Sequence, residues 1–139
     1  MKKSASLTII GGDMRQAFLA QLLSEDGHRI AVSALERHRF DSRIIRASAP
    51  GFGMDAGVHA VILPIPAERD EGILNAPLSN TSYHIQTILD AIPPGMLVLA
   101  GAASENVRSH AAQNHLHLID YLAREELAIR NAVPTAAAI

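Results

Sequence analysis

Short apolar runs alternate with stretches whose apolar residues recur every three to four positions along most of this 139-residue chain. That alternation predicts strands separated by helices, and hence a mostly parallel sheet covered on its faces. Residues 7–10 predict a first strand. Met14, Phe18 and Leu22, with Leu19 and Leu23 beside them, line one face of a helix that Gly27 ends. Residues 30–32 predict a second strand, and Ile44-Ile45 the start of another before a loop-like run over 47–53. Residues 58–64, apolar and rich in β-branched side chains, predict a buried strand. Ile85, Ile88, Leu89 and Ile92 mark a further helix, stopped by Pro93-Pro94-Gly95. A central strand follows over 96–100, then a helix capped by Ser104 and ended by Asn114, then a short strand over 116–119. A last helix is expected over 124–133, closed by Pro134. The expected class is α/β, a three-layer flavodoxin- or Rossmann-like domain with a mostly parallel sheet.

Bulk properties narrow the field. The length is that of one domain, 48% of the residues are hydrophobic and the formal net charge is −2, which describes an ordinary globular chain. No basic excess or aromatic platform points to nucleic acid, since Trp is absent and Phe and Tyr are few. Cysteine is absent, which removes disulfides, thiolate metal sites and a cysteine nucleophile, and suits a reducing cytoplasm. Lys2-Lys3 resembles a signal-peptide start, but the apolar run behind it stops at Gly11-Gly12. No segment approaches the ~20 apolar residues that span a bilayer. A cytoplasmic location is expected. The chain stops on Ala136-Ala137-Ala138-Ile139 with no polar tail, which suggests a longer natural protein cut at a domain boundary.

Candidate chemistry gathers where strands give way to helices. Gly11-Gly12-Asp13-Met14-Arg15 turns the first strand into the first helix. Glycines permit a sharp turn and close approach of a ligand, and free helix N–H groups favour an anion. Arg15 adds a planar, permanently charged fork suited to a carboxylate. The same residues also serve a plain tight turn with Asp13 as N-cap and Arg15 in solvent. The dinucleotide fingerprint Gly-x-Gly-x-x-Gly is missing, and no acidic residue closes the second strand at Val32-Ser33. A long loop over 64–72, continued by Ala76-Pro77-Leu78-Ser79-Asn80, is a second candidate region. Gly101-Ala102-Ala103-Ser104 is a third. A small dicarboxylate held by Arg15, Ser79, Asn80 and these backbone donors is physically reasonable, although Ser79-Asn80-Thr81 also reads as a helix cap.

Other residue types point less far. His115 and His117 alternate on a predicted strand, with His110 shortly before, but no third ligand or His-Glu-x-x-His spacing accompanies them, so no metal is expected. Glu68, Asp70 and Glu71 suit acid–base work or, more simply, a solvated loop. No Gly-x-Ser-x-Gly elbow or P-loop occurs. The residues alone describe a small-anion-binding α/β domain.

Taken together, several stretches resemble the dipicolinate synthase A-subunit family. They are Ile9-Ile10-Gly11-Gly12-Asp13-Met14-Arg15-Gln16, Glu25-Asp26-Gly27-His28, Val61-Ile62-Leu63-Pro64-Ile65-Pro66, Asp70-Glu71-Gly72 and Leu78-Ser79-Asn80. The run from Arg124 to Thr135 joins them in the right order, and the match is poorest over 35–55. The resemblance implies a two-domain protein similar in plan to 2-hydroxyacid dehydrogenases, of which residues 1–139 form the N-terminal substrate-type domain. A following Rossmann domain would carry NADP, so no cofactor is expected on this chain. The family, with a flavoprotein-like B-subunit as partner, makes dipicolinate from a dihydrodipicolinate precursor in sporulating bacteria. A homo-oligomer is expected. Without the second domain, hydride transfer is not.

On that resemblance Arg15 is the expected carboxylate clamp, with Gly11, Gly12 and Asp13 shaping its loop. Ser79 and Asn80 would orient substrate, while Asn131 and Thr135 would line the cleft against the second domain. One departure stands out: Ala137 and Ala138 occupy the place of the family's usual Glu-Gly pair. The rival expectation is a non-catalytic module of the same fold that binds a small anion or docks a partner.

Overall fold

The computed structural model describes residues 4–47, 57–70 and 72–120. Six strands build one sheet: β1 (Ser6–Ile10), β2 (Arg29–Ser33), β3 (Ile45–Arg46), β4 (Ala60–Ile62), β7 (Leu97–Ala100) and β8 (His117–Asp120). Two further short strands, β5 (Glu68–Arg69) and β6 (Ile73–Leu74), form an antiparallel hairpin outside it. The sheet order is β3-β2-β1-β4-β7-β8 and every pairing in it is parallel. Chain order therefore runs outward from β1 in one direction, then returns and runs outward from β4 in the other. The reversal lies between β1 and β4. In open α/β sheets of this kind the carboxyl ends of the strands diverge at the reversal and leave a crevice.

Alternating side chains along the strands feed two cores. Ile9, Ile30, Val32 and Ile62 meet Ala20 of α1 (Met14–Glu25) on one face. Ile10, Val61 and Val98 meet α2 (Ile85–Asp90) and α3 (Glu105–Gln113) on the other, through Ile85, Ile88, Leu89 and Val107. The outcome is the expected three-layer arrangement, with each predicted strand and helix among the described residues present and its ends shifted by a few positions. The helix expected over 124–133 lies outside the described residues.

Three local readings need correction. The apolar stripe of α1 faces outward: Phe18 is 63% and Leu22 62% exposed, whereas Gln16, Ala17, Ala20 and Ser24 are buried. Small side chains let the helix lie close on β1 and β2, and bulk is carried on the outside, with Leu19 and Leu23 packed at the edge. His115 precedes β8 rather than lying on it, in a left-handed turn with φ of 57°. Ser79 caps no helix. Its Oγ accepts from the Thr81 amide at 3.1 Å, a local turn, and α2 starts only after His84.

Candidate functional site

At the β1–β4 reversal the structure places Asp13, Arg15, Gln16 and Leu19 from one side and Pro64 and Ile65 from the other, around a crevice of about 200 Å³. The turn that opens it depends on its glycines. Gly11 and Gly12 have φ of 70° and 97°, a backbone conformation that only glycine adopts without strain. Both are buried, and their amides are engaged: Gly11 N donates to Ser33 O and Gly12 N to Asn75 O, each at 2.8 Å. The glycines thus shape the loop and tie it to β2 and the hairpin, and their N–H groups are not presented to an anion. Together with the missing third glycine, this leaves residues that do not fit a dinucleotide's pyrophosphate.

The charged pair at the mouth is open to solvent. Asp13 is the N-cap of α1, its Oδ1 accepting from the Arg15 amide at 2.9 Å. It also accepts from the Arg15 guanidinium, at 3.1 Å from Nε to Oδ1 and 3.1 Å from Nη2 to Oδ2. The same Nη2 reaches Ile65 O at 3.1 Å. The guanidinium and then the amide of Arg15 hold the Asp13 carboxyl below its ordinary value, so it is ionised at neutral pH. The side chains are 70% and 43% exposed, which makes the pair a weak contributor to stability and an easily rearranged one. Chemically, the arrangement is a guanidinium held in place over a crevice by a carboxylate that another carboxylate can replace.

The remaining expected site residues are not gathered here. Ser79 is buried in its own turn. Asn80 lines a separate crevice at the carboxyl end of β2, where its amide N donates to Glu36 and its Oδ1 accepts from Arg37 Nε. Asn131, Thr135, Ala137 and Ala138 lie outside the described residues. The third candidate region, at the start of α3, is filled by the protein itself. The Ala102 and Ala103 amides donate to the Asp120 carboxylate at 3.2 and 2.9 Å, and Arg108 closes on it at 2.9 Å.

Glu68, read from sequence as an acid–base candidate or a solvated loop residue, is a structural hub. Oε1 accepts from Ser104 Oγ, and Oε2 from the Gly72 amide and Asn106 Nδ2, each at 2.6 Å. Those bonds, led by the one from Ser104, lower its pKa. Asn75 is the residue that the sequence did not single out. Its carbonyl seals Gly12 while its Nδ2 donates to Pro66 O at 2.9 Å, so it fixes both lips of the reversal crevice. Among the described residues no three His, Asp or Glu side chains gather as metal ligands.

Comparison with known proteins supplies the family. The model of the N-terminal domain of the dipicolinate synthase A-subunit matches residues 6–122. The dipicolinate synthase A-subunit of Bacillus subtilis (strain 168) is 25% identical over 138 residues, covering 97% of this chain and 46% of that protein. The crystal structure of the Bacillus subtilis dipicolinate synthase A-subunit superposes with a TM-score of 0.73 at 24% identity, covering 99% of this chain and 47% of that one. Its counterpart from Bacillus halodurans gives the same TM-score and identity, covering 96% and 46%. The chain therefore spans about half the length of these relatives, and it belongs to the family of dipicolinate synthase A-subunit N-terminal domains.

Proposed function

We propose that this chain is the substrate half of a dipicolinate synthase A-type oxidoreductase, and that Arg15 clamps a carboxylate of a dihydrodipicolinate-like precursor or of dipicolinate. The single observation that carries the reading is the reversal crevice, with Arg15 held across its mouth by Asp13 and Ile65 O. A pyridine dicarboxylate offers an anion to the guanidinium and a flat apolar ring to Leu19, Pro64 and Ile65. On this reading Asp13 is a placeholder: it orients the fork while the crevice is empty and yields to the incoming carboxylate. NADP belongs to a following Rossmann domain, a flavoprotein-like B-subunit completes the enzyme, and sporulating cells are the setting. The chain by itself binds without turning substrate over.

Calorimetric titration of the chain with dipicolinate tests this. Arg15→Gln should weaken binding on the order of tenfold to hundredfold, the value of a charge-assisted pair. Asp13→Asn keeps a good helix cap and removes a competing negative charge, so binding should tighten about fivefold, matching ~1 kcal/mol between unit charges 4 Å apart in water. Equal affinity in the wild type and Arg15→Gln would remove Arg15 from the site.

A further inference from the structure

The inner wall of the reversal crevice holds a glutamine. Gln16 is 6% exposed and lines the crevice with Arg15, Leu19, Pro64 and Ile65. A side-chain amide has two donor hydrogens and an acceptor oxygen to satisfy. Here Nε2 donates to Ile62 O at 3.4 Å, at the end of β4, while Oε1 has no hydrogen-bond partner among the described residues. The fully enclosed side-chain atoms that lack a partner are, among the described residues, Ser33 Oγ and His110 Nδ1. Gln16 Oε1 is not one of them. It therefore keeps open surface, and the space beside it is the crevice. An acceptor held in this way costs free energy unless a donor meets it.

Helix geometry sets what can meet it. Leu19 lies four residues after Arg15 and three after Gln16, so the three side chains form one contiguous face of α1, with Leu19 between the other two. Arg15 and Gln16 stand about 100° apart around the helix axis, the exposed Arg15 toward the mouth and the buried Gln16 toward the sheet. A ring lying on Leu19, Pro64 and Ile65, with a carboxylate on Arg15, presents the ring atom next to its carboxyl-bearing carbon to Gln16 Oε1. That atom must carry a hydrogen-bond donor. An aromatic pyridine nitrogen is an acceptor and sets lone pair against lone pair, whereas a ring nitrogen that bears hydrogen donates. Discrimination of this kind is steep where the protein's polar group is buried, because the wrong ligand leaves it unpaired.

We infer that Gln16 determines specificity in this crevice: it accepts a hydrogen bond from the ring N–H of a reduced, non-aromatic dicarboxylate and disfavours the aromatic ring of dipicolinate. The inference rests on the carboxylate clamp proposed for Arg15. An aromatised ring has lost the hydrogen that Gln16 holds, so a product of this kind is bound more loosely than its precursor.

Calorimetric titration of the full chain with two ligands tests this: cis-piperidine-2,6-dicarboxylate, whose ring nitrogen carries hydrogen, and dipicolinate, whose ring nitrogen carries none. The piperidine should bind about tenfold more tightly, the worth of one hydrogen bond. Gln16→Met keeps the length of the side chain and removes the acceptor, so the two ligands should then bind within about twofold of each other. Asp13→Asn separates the hydrogen bond from charge attraction to the piperidine nitrogen, and should leave most of the preference in place. Arg15→Gln should weaken both ligands alike. Equal or reversed affinities in the wild type would overturn the role of Gln16 without recourse to any variant. So would a preference that survives Gln16→Met or disappears in Asp13→Asn. If Arg15→Gln binds both ligands as the wild type does, the clamp on which the inference rests is what fails.

Discussion

At Gly12 a methyl group has no room: an added Cβ would stand 2.1 Å from Gln16 Cγ and 3.1 Å from Pro64 Cβ. The backbone there is also left-handed, so strain and overlap act together. Gly27 has nearly the same φ, 98°, with open space around it. Gly12→Ala should therefore cost about 2–4 kcal/mol and Gly27→Ala about 1–2 kcal/mol, the difference being overpacking. Denaturant midpoints measure both. Trimming the obstacle supplies the internal check, because Gln16→Ala should recover part of the Gly12→Ala loss, a non-additivity expected only between touching residues. Equal losses at the two glycines would mean that conformation, not the seal around Gln16, makes Gly12 necessary.

Between elements, Glu68 ties the β5–β6 hairpin to the start of α3 through Ser104, Asn106 and the Gly72 amide. Its folded-state pKa lies below the ordinary value of 4.5, first because of the Ser104 hydroxyl. The ionised form is thus the one the fold prefers. Its stabilisation is complete above 4.5 and is lost as pH falls through the lowered folded-state value. Glu68→Gln should cost about 1–3 kcal/mol near neutral pH, with a gap to wild type that closes as the solution is acidified below that window. Thermal melts across pH read both effects, and a gap that stays constant would show that the charge of Glu68 is not what Ser104 and Asn106 hold. None of this was legible locally, since Ser104 and Asn106 stand 36 and 38 positions further along the chain. Strand and helix positions were legible, because short apolar runs such as Leu7 to Ile10 need only neighbours to declare themselves. The inward face of α1 was not. Helical spacing marks Met14, Phe18 and Leu22 as one stripe but does not say which stripe meets a sheet, and close approach through Ala17 and Ala20 decided it. The candidate site was half legible. The Asp13–Arg15 pair is a short-range feature, whereas the separation of Asn80 from it depends on where the hairpin crosses the sheet ends.

For the whole molecule, the layering implies a gradient of stability that reaches the candidate site. Ile9, Ile10, Val61 and Val98 are fully buried in the paired centre of the sheet. The hairpin rests on Ala67 and Leu74, also buried, and is closed on itself by Asn75 N to Ala67 O, while Gly12 N to Asn75 O joins it to the β1 turn. Freeing Leu74 costs about 2 kcal/mol of apolar burial and releasing Glu68 from Ser104 and Asn106 about 1–3 kcal/mol, together less than unfolding the domain, so the hairpin has a route to open by itself. Gly12 then belongs to two units at once. Its carbon trace is part of the β1 turn, but its amide is protected only while Asn75 stays docked. Native-state hydrogen exchange should accordingly place the Gly12 amide with Leu74 and Asn75, exchanging at a common opening free energy below that of Ile9 and Ile10. Such an opening would uncover the Gly12 N–H beside Arg15, which the resting structure withholds from an anion. Exchange of Gly12 in step with β1, through global unfolding alone, would show instead that the hairpin is a fixed part of the core and that the crevice takes its ligand with the glycine amides permanently sealed.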